Sequence, residues 1–199
     1  ILQDIFKKIE ENKKIIIYGH VRPDGDCYGA QFGLKNMILN AFPEKEVYVT
    51  GETSDFVSFV GTPDIIVPTD LPDEFYADAL SIVVDTATST RISNQKYSLG
   101  NYIIKIDHHI PVDQYGDLIW VDTNYPSCAQ MMAYFSTVVQ QLAITKQGAV
   151  AMYTGILTDT GRLKYRGVSE LTHQMAGMLL TKGADVEEID RAMSVETLD

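Results

Sequence analysis

Five short runs of this 199-residue chain are apolar at nearly every position, and that continuity restricts the fold more than any other feature. They are "KKIIIYGH" (13–20), "EVYVT" (46–50), "ALSIVVDT" (79–86), "YIIKIDHH" (102–109) and "LIWVD" (118–122). Each is short and rich in β-branched residues, the composition of a strand. A strand apolar on both sides must be covered on both sides, which is the situation of a parallel sheet; an antiparallel sheet with one wet face would alternate instead.

Between and after these runs lie helical segments. "CYGAQFGLKNMILNAF" (27–42) places Phe32, Leu34, Met37, Ile38 and Leu39 at helical spacings and so packs one face on the sheet, with Gly29 and Gly33 allowing a neighbour to approach closely. "SCAQMMAYFSTVVQQLA" opens on Ser127, a good N-cap after Pro126, and "QGAVAMYTGILTD" follows as a second apolar helix. "DVEE" (185–188), after Gly183, has the spacing of a capping box and starts a last helix. The expected fold is therefore α/β and doubly wound: a mostly parallel five-stranded sheet with helices on both faces and a C-terminal helical appendage. The one candidate boundary is the polar stretch "YRGVSELT" (165–172), so residues 1–168 read as one domain. Residues 169–199 read as a helical extension or the start of a linker to a second domain.

Composition narrows the function classes. Hydrophobic residues make up 45% of the chain, enough for a sizeable core. No apolar run approaches the ~18 residues of a membrane span, and the first residues lack the pattern of a signal peptide. Cys27 and Cys128 form neither a CxxC pair nor a disulfide framework and read as small packing residues, which agrees with a reducing cytoplasm. A net charge of −11 argues against a groove for duplex DNA, although a small anionic substrate fits if bound cations supply local positive charge.

The polar residues fall where a parallel sheet binds ligands. His20, Asp85, and the group Asp107, His108 and His109 sit at strand ends, and the crevice beyond the carboxyl ends of the strands brings them together. "HVRPDGDCYGA" (20–30) adds Asp24 and Asp26, and "TGILTDTG" (154–161) adds Asp159. Alone, a strand-end aspartate such as Asp85 is most often a helix cap, Asp122 caps a turn, and His173 is a surface residue. Taken together, His20, Asp24, Asp26, Asp85, His108 and Asp159 are an oxygen-and-imidazole set without thiolate, suited to Mn²⁺, Mg²⁺ or Co²⁺. Two divalent cations would cancel the four carboxylates. Such a pair can hold a bridging hydroxide as nucleophile and neutralise a phosphoryl group, which points to hydrolysis of a phosphate ester or anhydride. Arg91, Arg162, Lys164 and Arg166 are candidates to grip substrate phosphates, Arg91 foremost because it follows Asp85 in the same loop.

In order and spacing, "HVRPDGD", "VVDTA", "IDHH" and "GILTDTG" resemble the four signature motifs of the DHH phosphoesterases, and they run from His20 to Gly161. The resemblance implies that His20 and Asp24 bind one metal and Asp26 and His108 the other, with Asp85 and Asp159 contributing to both. It implies two divalent ions, Mn²⁺ first. It also implies that Asp107 orients a histidine and that His109 contacts the substrate phosphate or assists the leaving oxygen. "DTATSTRIS" (85–93) and "KIDHHIPVDQYGDLIWVDT" (105–123) look most like the group that hydrolyses short oligoribonucleotides and 3'-phosphoadenosine 5'-phosphate. Cyclic-dinucleotide phosphodiesterase, manganese pyrophosphatase and a catalytically silent nucleotide-binding module remain the alternatives, and monomer or homodimer stays open. Two departures stand out. Nothing after Asp159 reads as the glycine-rich segment of the family's second, substrate-binding domain, and Cys27 and Ala30 replace residue types common in the first motif, neither at a ligand position.

Overall fold

The computed structural model describes residues 1–69 and 71–194. Six strands form one sheet: β1 (Lys14–Tyr18), β2 (Glu46–Gly51), β3 (Ile65–Ile66), β4 (Leu80–Val84), β5 (Tyr102–Asp107) and β6 (Leu118–Val121). Their order is β3-β2-β1-β4-β5-β6, and every neighbouring pair is parallel. The sheet therefore has one more strand than the sequence reading gives. β3 pairs only through Thr50↔Ile65 and Gly51↔Ile66 at the edge, and two residues are too short to leave a strand pattern.

Continuous apolarity reflects a sheet covered on both sides. Ile15 and Ile17 of β1 point into the main core, while Ile16 and Tyr18 point into a second, smaller cluster. The two covers are unequal. The main face carries α1 (Leu2–Glu11), α2 (Gly25–Ala41), α4 (Cys128–Val138) and α5 (Lys146–Asp159). Among the described residues, the opposite face has only the short α3 (Asp73–Ala77), 3-10 turns at Ser89–Arg91 and Gln95–Leu99, and edge-to-face aromatic pairs such as Tyr48–Phe75 and Tyr97–Tyr115.

α2 was expected to bury one face, but it is buried all round from Gly25 to Leu34 because it also packs against α4 and α5. α2 and α5 run antiparallel in very close contact. A Cβ on Gly29 would stand 2.6 Å from the Ala151 carbonyl oxygen, and one on Gly155 would stand 3.2 Å from the Gly25 carbonyl oxygen. That contact sets the start of α2 beside the end of α5.

The polar stretch around residue 169 is a helix start. Ser169 and Thr172 form a reciprocal cap on α6 (Glu170–Thr181), and Asp185 caps α7 (Val186–Ser194) by accepting from the N–H groups of Glu187 and Glu188. Met175, Leu179, Ile189 and Met193 of these helices are buried in the main core. No helix among the described residues is long and apolar enough to cross a membrane.

Candidate metal centre

Strand order reverses between β1 and β4, and ligands of open α/β sheets bind in the crevice at such a switch. His20 follows β1, Asp85 follows β4, and Asp107 closes β5 with His108 and His109 directly after it. α2 contributes Asp24 and Asp26 from its start, and the antiparallel α5 contributes Asp159 from its end. All six residues expected as ligands meet here.

They form two groups that share one carboxylate. The His20 Nε2 lies 3.7 Å from Asp24 Oδ1 and 3.4 Å from Asp85 Oδ2. The His108 Nε2 lies 3.3 Å from Asp85 Oδ1, 3.4 Å from Asp26 Oδ2 and 3.4 Å from Asp159 Oδ2. Asp85 adopts φ +55°, a left-handed conformation that short polar side chains tolerate better than most. That turn out of β4 places one of its oxygens against each imidazole.

Backbone carbonyls fix how the histidines point. His20 Nδ1 pairs with the Val21 carbonyl at 2.9 Å, and His108 Nδ1 with the Tyr125 carbonyl at 3.1 Å. Each Nδ1–H donates to its carbonyl, which leaves Nε2 turned toward carboxylates with no proton to offer them in the neutral ring. Lone pairs therefore face lone pairs, and the buried His108 Nε2 and Asp85 Oδ1 have no hydrogen-bond partner. Either protons or cations must fill the space between.

The titration tendencies state the same demand. Burial and the neighbouring Asp85 and Asp159 push the Asp26 carboxyl up, and burial with Asp85 and Asp24 pushes Asp159 up to about 7. Burial opposes the charged rings of His20 and His108, yet Asp24 and Asp85 raise the first and Asp85 raises the second. Burial would also raise Asp85, but His108 and His20 hold it down to about 2. Positive charge is what the cluster lacks. Four carboxylates and two oriented imidazoles, without a good hydrogen-bond donor among them, fit two hard divalent cations.

The remaining predicted residues divide clearly. Asp107 stays outside both groups: its Oδ1 accepts from the backbone N–H of His108 at 3.0 Å and pairs with His109 Nδ1 at 2.7 Å, so the histidine it orients is His109. A cavity of about 270 Å³ opens beside His20, Asp24 and Asp85, and Arg91 and His109 line it. Arg162 is committed to Asp190 of α7, whereas Lys164 and Arg166 are exposed and do not line the cavity. Asp122 accepts from Asn124, and His173 is exposed on α6.

Two features escaped the sequence reading. Cys27, read as packing only, is buried, but its Sγ, a nitrogen of His20 and an oxygen of Asp85 lie within 4.8 Å of one another. A cysteine one residue past a ligand is the signal that was available. The Tyr125 carbonyl that orients His108 leaves no signal, because any residue supplies a carbonyl.

The profile of the DHH family, N-terminal domain, matches residues 14–156. A Streptococcus mutans protein named as a probable bifunctional oligoribonuclease and PAP phosphatase NrnA is 42% identical over 189 residues, covering 95% of this chain and 59% of that protein. The Bacillus subtilis bifunctional oligoribonuclease and PAP phosphatase NrnA is 36% identical over 179 residues, covering 89% of this chain and 56% of that protein. The chain thus spans less than two thirds of these relatives. The crystal structure of an exopolyphosphatase-related protein from Bacteroides fragilis superposes with a TM-score of 0.87 at 25% identity, covering 98% of this chain and 60% of that one. With the four motifs in order, their carboxylates and imidazoles gathered at the switch of a parallel sheet, and the profile matching 14–156, the chain belongs to the DHH family and contains its N-terminal domain.

Proposed function

We propose that this chain hydrolyses phosphate esters of short nucleotides, releasing phosphate from 3'-phosphoadenosine 5'-phosphate or nucleotides from short oligoribonucleotides, with two divalent cations, Mn²⁺ foremost. The observation that carries the reading is the convergence of acceptors without donors: one carboxylate, Asp85, lies 3.4 Å and 3.3 Å from two imidazole nitrogens whose other nitrogens are tied to backbone carbonyls. The names of the curated relatives support the substrate class.

In this reading His20, Asp24 and Asp85 hold one cation, and Asp26, His108, Asp159 and Asp85 hold the other. Bound there, the cations supply activation of the attacking water and neutralise charge that develops on the phosphoryl oxygens. Arg91 and His109 meet the substrate phosphate in the cavity beside His20. Asp107 holds His109 through Nδ1, which leaves Nε2 for the substrate, and the same carboxylate raises the His109 pKa. His109 then carries a proton on Nε2 that it delivers to the leaving oxygen. Two buried free cysteines fit work in a reducing cytoplasm.

The test is hydrolysis by the purified chain with Mn²⁺, using 3'-phosphoadenosine 5'-phosphate and RNA of two to five residues, beside pyrophosphate and a cyclic dinucleotide. We expect turnover of the first two, loss on chelation, and loss in Asp85→Asn, a replacement that tolerates the same left-handed backbone. Equal nucleotide binding by the parent and Asp85→Asn, with no turnover by either under Mn²⁺, would make the domain a binding module instead.

A further inference from the structure

β5 carries a lysine where a parallel sheet ordinarily holds an apolar residue. Lys105 lies between Ile104 and Ile106 and is 1% exposed. Burying an ammonium is costly unless its protons are taken up, so its partners are informative. Lys105 Nζ donates to the carbonyls of Ala87 at 3.0 Å and Asp113 at 3.3 Å and sits over the Tyr115 ring, 4.3 Å from its centroid.

Those partners belong to one arrangement. The Tyr115 hydroxyl donates to the Thr86 carbonyl at 2.5 Å, and the Asp113 carboxylate accepts from the Ser89 hydroxyl at 2.5 Å and from the Ser89 N–H at 3.1 Å. Three side chains, from β5 and from the segment after the DHH motif, therefore end on the single loop that follows Asp85. On its other side the loop is stitched to the first motif: Val21 N–H donates to the Arg91 carbonyl at 2.8 Å, and His20 bridges Ile92. At the end of this loop stands Arg91, which lines the cavity and has no carboxylate within ion-pairing distance among the described residues.

We infer that Lys105, Asp113 and Tyr115 are positioning residues that hold the loop at 86–91, and through it Arg91, against the cation site so that the guanidinium meets the substrate phosphate in a fixed place. A lysine serving only stability would need no shared target with an aspartate and a tyrosine. Here all three converge on the segment that carries the free guanidinium, and none of them touches the six candidate ligands. The inference rests on the reading that Arg91 takes substrate phosphate, and the test separates the two.

The experiment measures KM and kcat for 3'-phosphoadenosine 5'-phosphate with Mn²⁺, Mn²⁺ affinity by calorimetry, and inhibition by inorganic phosphate. The proteins are the parent chain, Lys105→Met, Tyr115→Phe, Arg91→Ala and the double variants with Arg91→Ala. Tyr115→Phe removes a single hydroxyl and guards against a Lys105→Met protein that fails to fold. Arg91→Ala should raise KM and weaken phosphate inhibition, Lys105→Met should raise KM about tenfold, and Tyr115→Phe should raise it less, all with kcat and Mn²⁺ affinity held. The decisive result is the cycle: on the Arg91→Ala background the clamp variants should raise KM no further, because what they position is gone. Additive effects in the double variants, or a parallel fall in Mn²⁺ affinity, would overturn the inference while leaving the reading of Arg91 intact. An unchanged KM in Arg91→Ala would overturn both.

Discussion

Asp24 and Asp26 stand two residues apart at the start of α2, yet they belong to different environments. The Asp24 side chain is 56% exposed, accepts one backbone N–H from Cys27 at 2.9 Å as the cap of its own helix, and lines the cavity beside His20. Asp26 is fully buried, and its two oxygens accept from the N–H groups of Cys128 at 2.6 Å and Ala129 at 2.8 Å, the first turn of α4. One carboxylate closes a helix end at the surface. The other bolts two helices together inside the core. The candidate centre thus has one side beside the cavity, at His20 and Asp24, and another anchored by Asp26, with His108 and Asp159, whose geometry is inherited from packing. Asp85 joins them. In a centre built this way, helix packing would fix the candidate ligands on the Asp26 side, while Asp24 faces the cavity.

The largest effect expected from this contrast is at Asp26. Asp26→Ala strands two N–H groups of α4 in the core at about 1–3 kcal/mol each, whereas Asp24→Ala removes one helix cap, worth about 1 kcal/mol. Both variants should lose Mn²⁺-dependent hydrolysis, because each removes a candidate ligand. Their losses of stability relative to the parent, measured by denaturant unfolding in chelator, should differ several-fold. Equal losses would mean that burial does not distinguish the two sides.

Next in size is the helix contact that anchors the Asp26 side. A methyl group on Gly155 meets the Ala129 Cβ at 2.5 Å and stands 3.1 Å from Asp26 Oδ1, so α2, α4 and α5 must separate to admit it. Gly155→Ala should cost about 1–3 kcal/mol, the range for overpacking a tight core. It should also weaken Mn²⁺ binding by moving Asp159 away from Asp26. Calorimetric titration with Mn²⁺ checks this, and unchanged affinity at reduced stability would show that the Asp26 side tolerates a shift of its helices.

Much of this was legible in the chain, for reasons that differ by residue. The sheet was readable because parallel strands are apolar on both faces, and the crevice followed because ligands gather where such strands end. Gly29 announced the α2 contact. β3 was invisible because two residues have no period, and the lopsided helix cover was invisible because β-branched strands do not report what lies on each face. The six candidate ligands were readable as motifs, but the different surroundings of Asp24 and Asp26 were not. They depend on which helix N-terminus Asp26 meets, and that contact joins residues more than a hundred positions apart. The stretch at 165–172 is polar for a local reason: Ser169 caps α6, whose apolar face packs on the core.

The smallest effect sharpens the comparison from the side of the cations. The two sides each carry an arginine at the surface, but only Arg91 lines the cavity. Arg162 lies just past Asp159 with φ +58° and is paired with Asp190, the two side chains being 51% and 40% exposed. Exposed pairs of this kind are worth about 0–1 kcal/mol, since water screens the attraction and two long side chains lose freedom. Arg162→Ala should therefore shift stability by less than about 1 kcal/mol and leave both KM and kcat at parent values. Kinetics on 3'-phosphoadenosine 5'-phosphate beside Arg91→Ala decide it. A raised KM in Arg162→Ala would mean that substrate also contacts the Asp159 side, and the contrast between a side beside the cavity and a side anchored in packing would fail where it is most exposed to test.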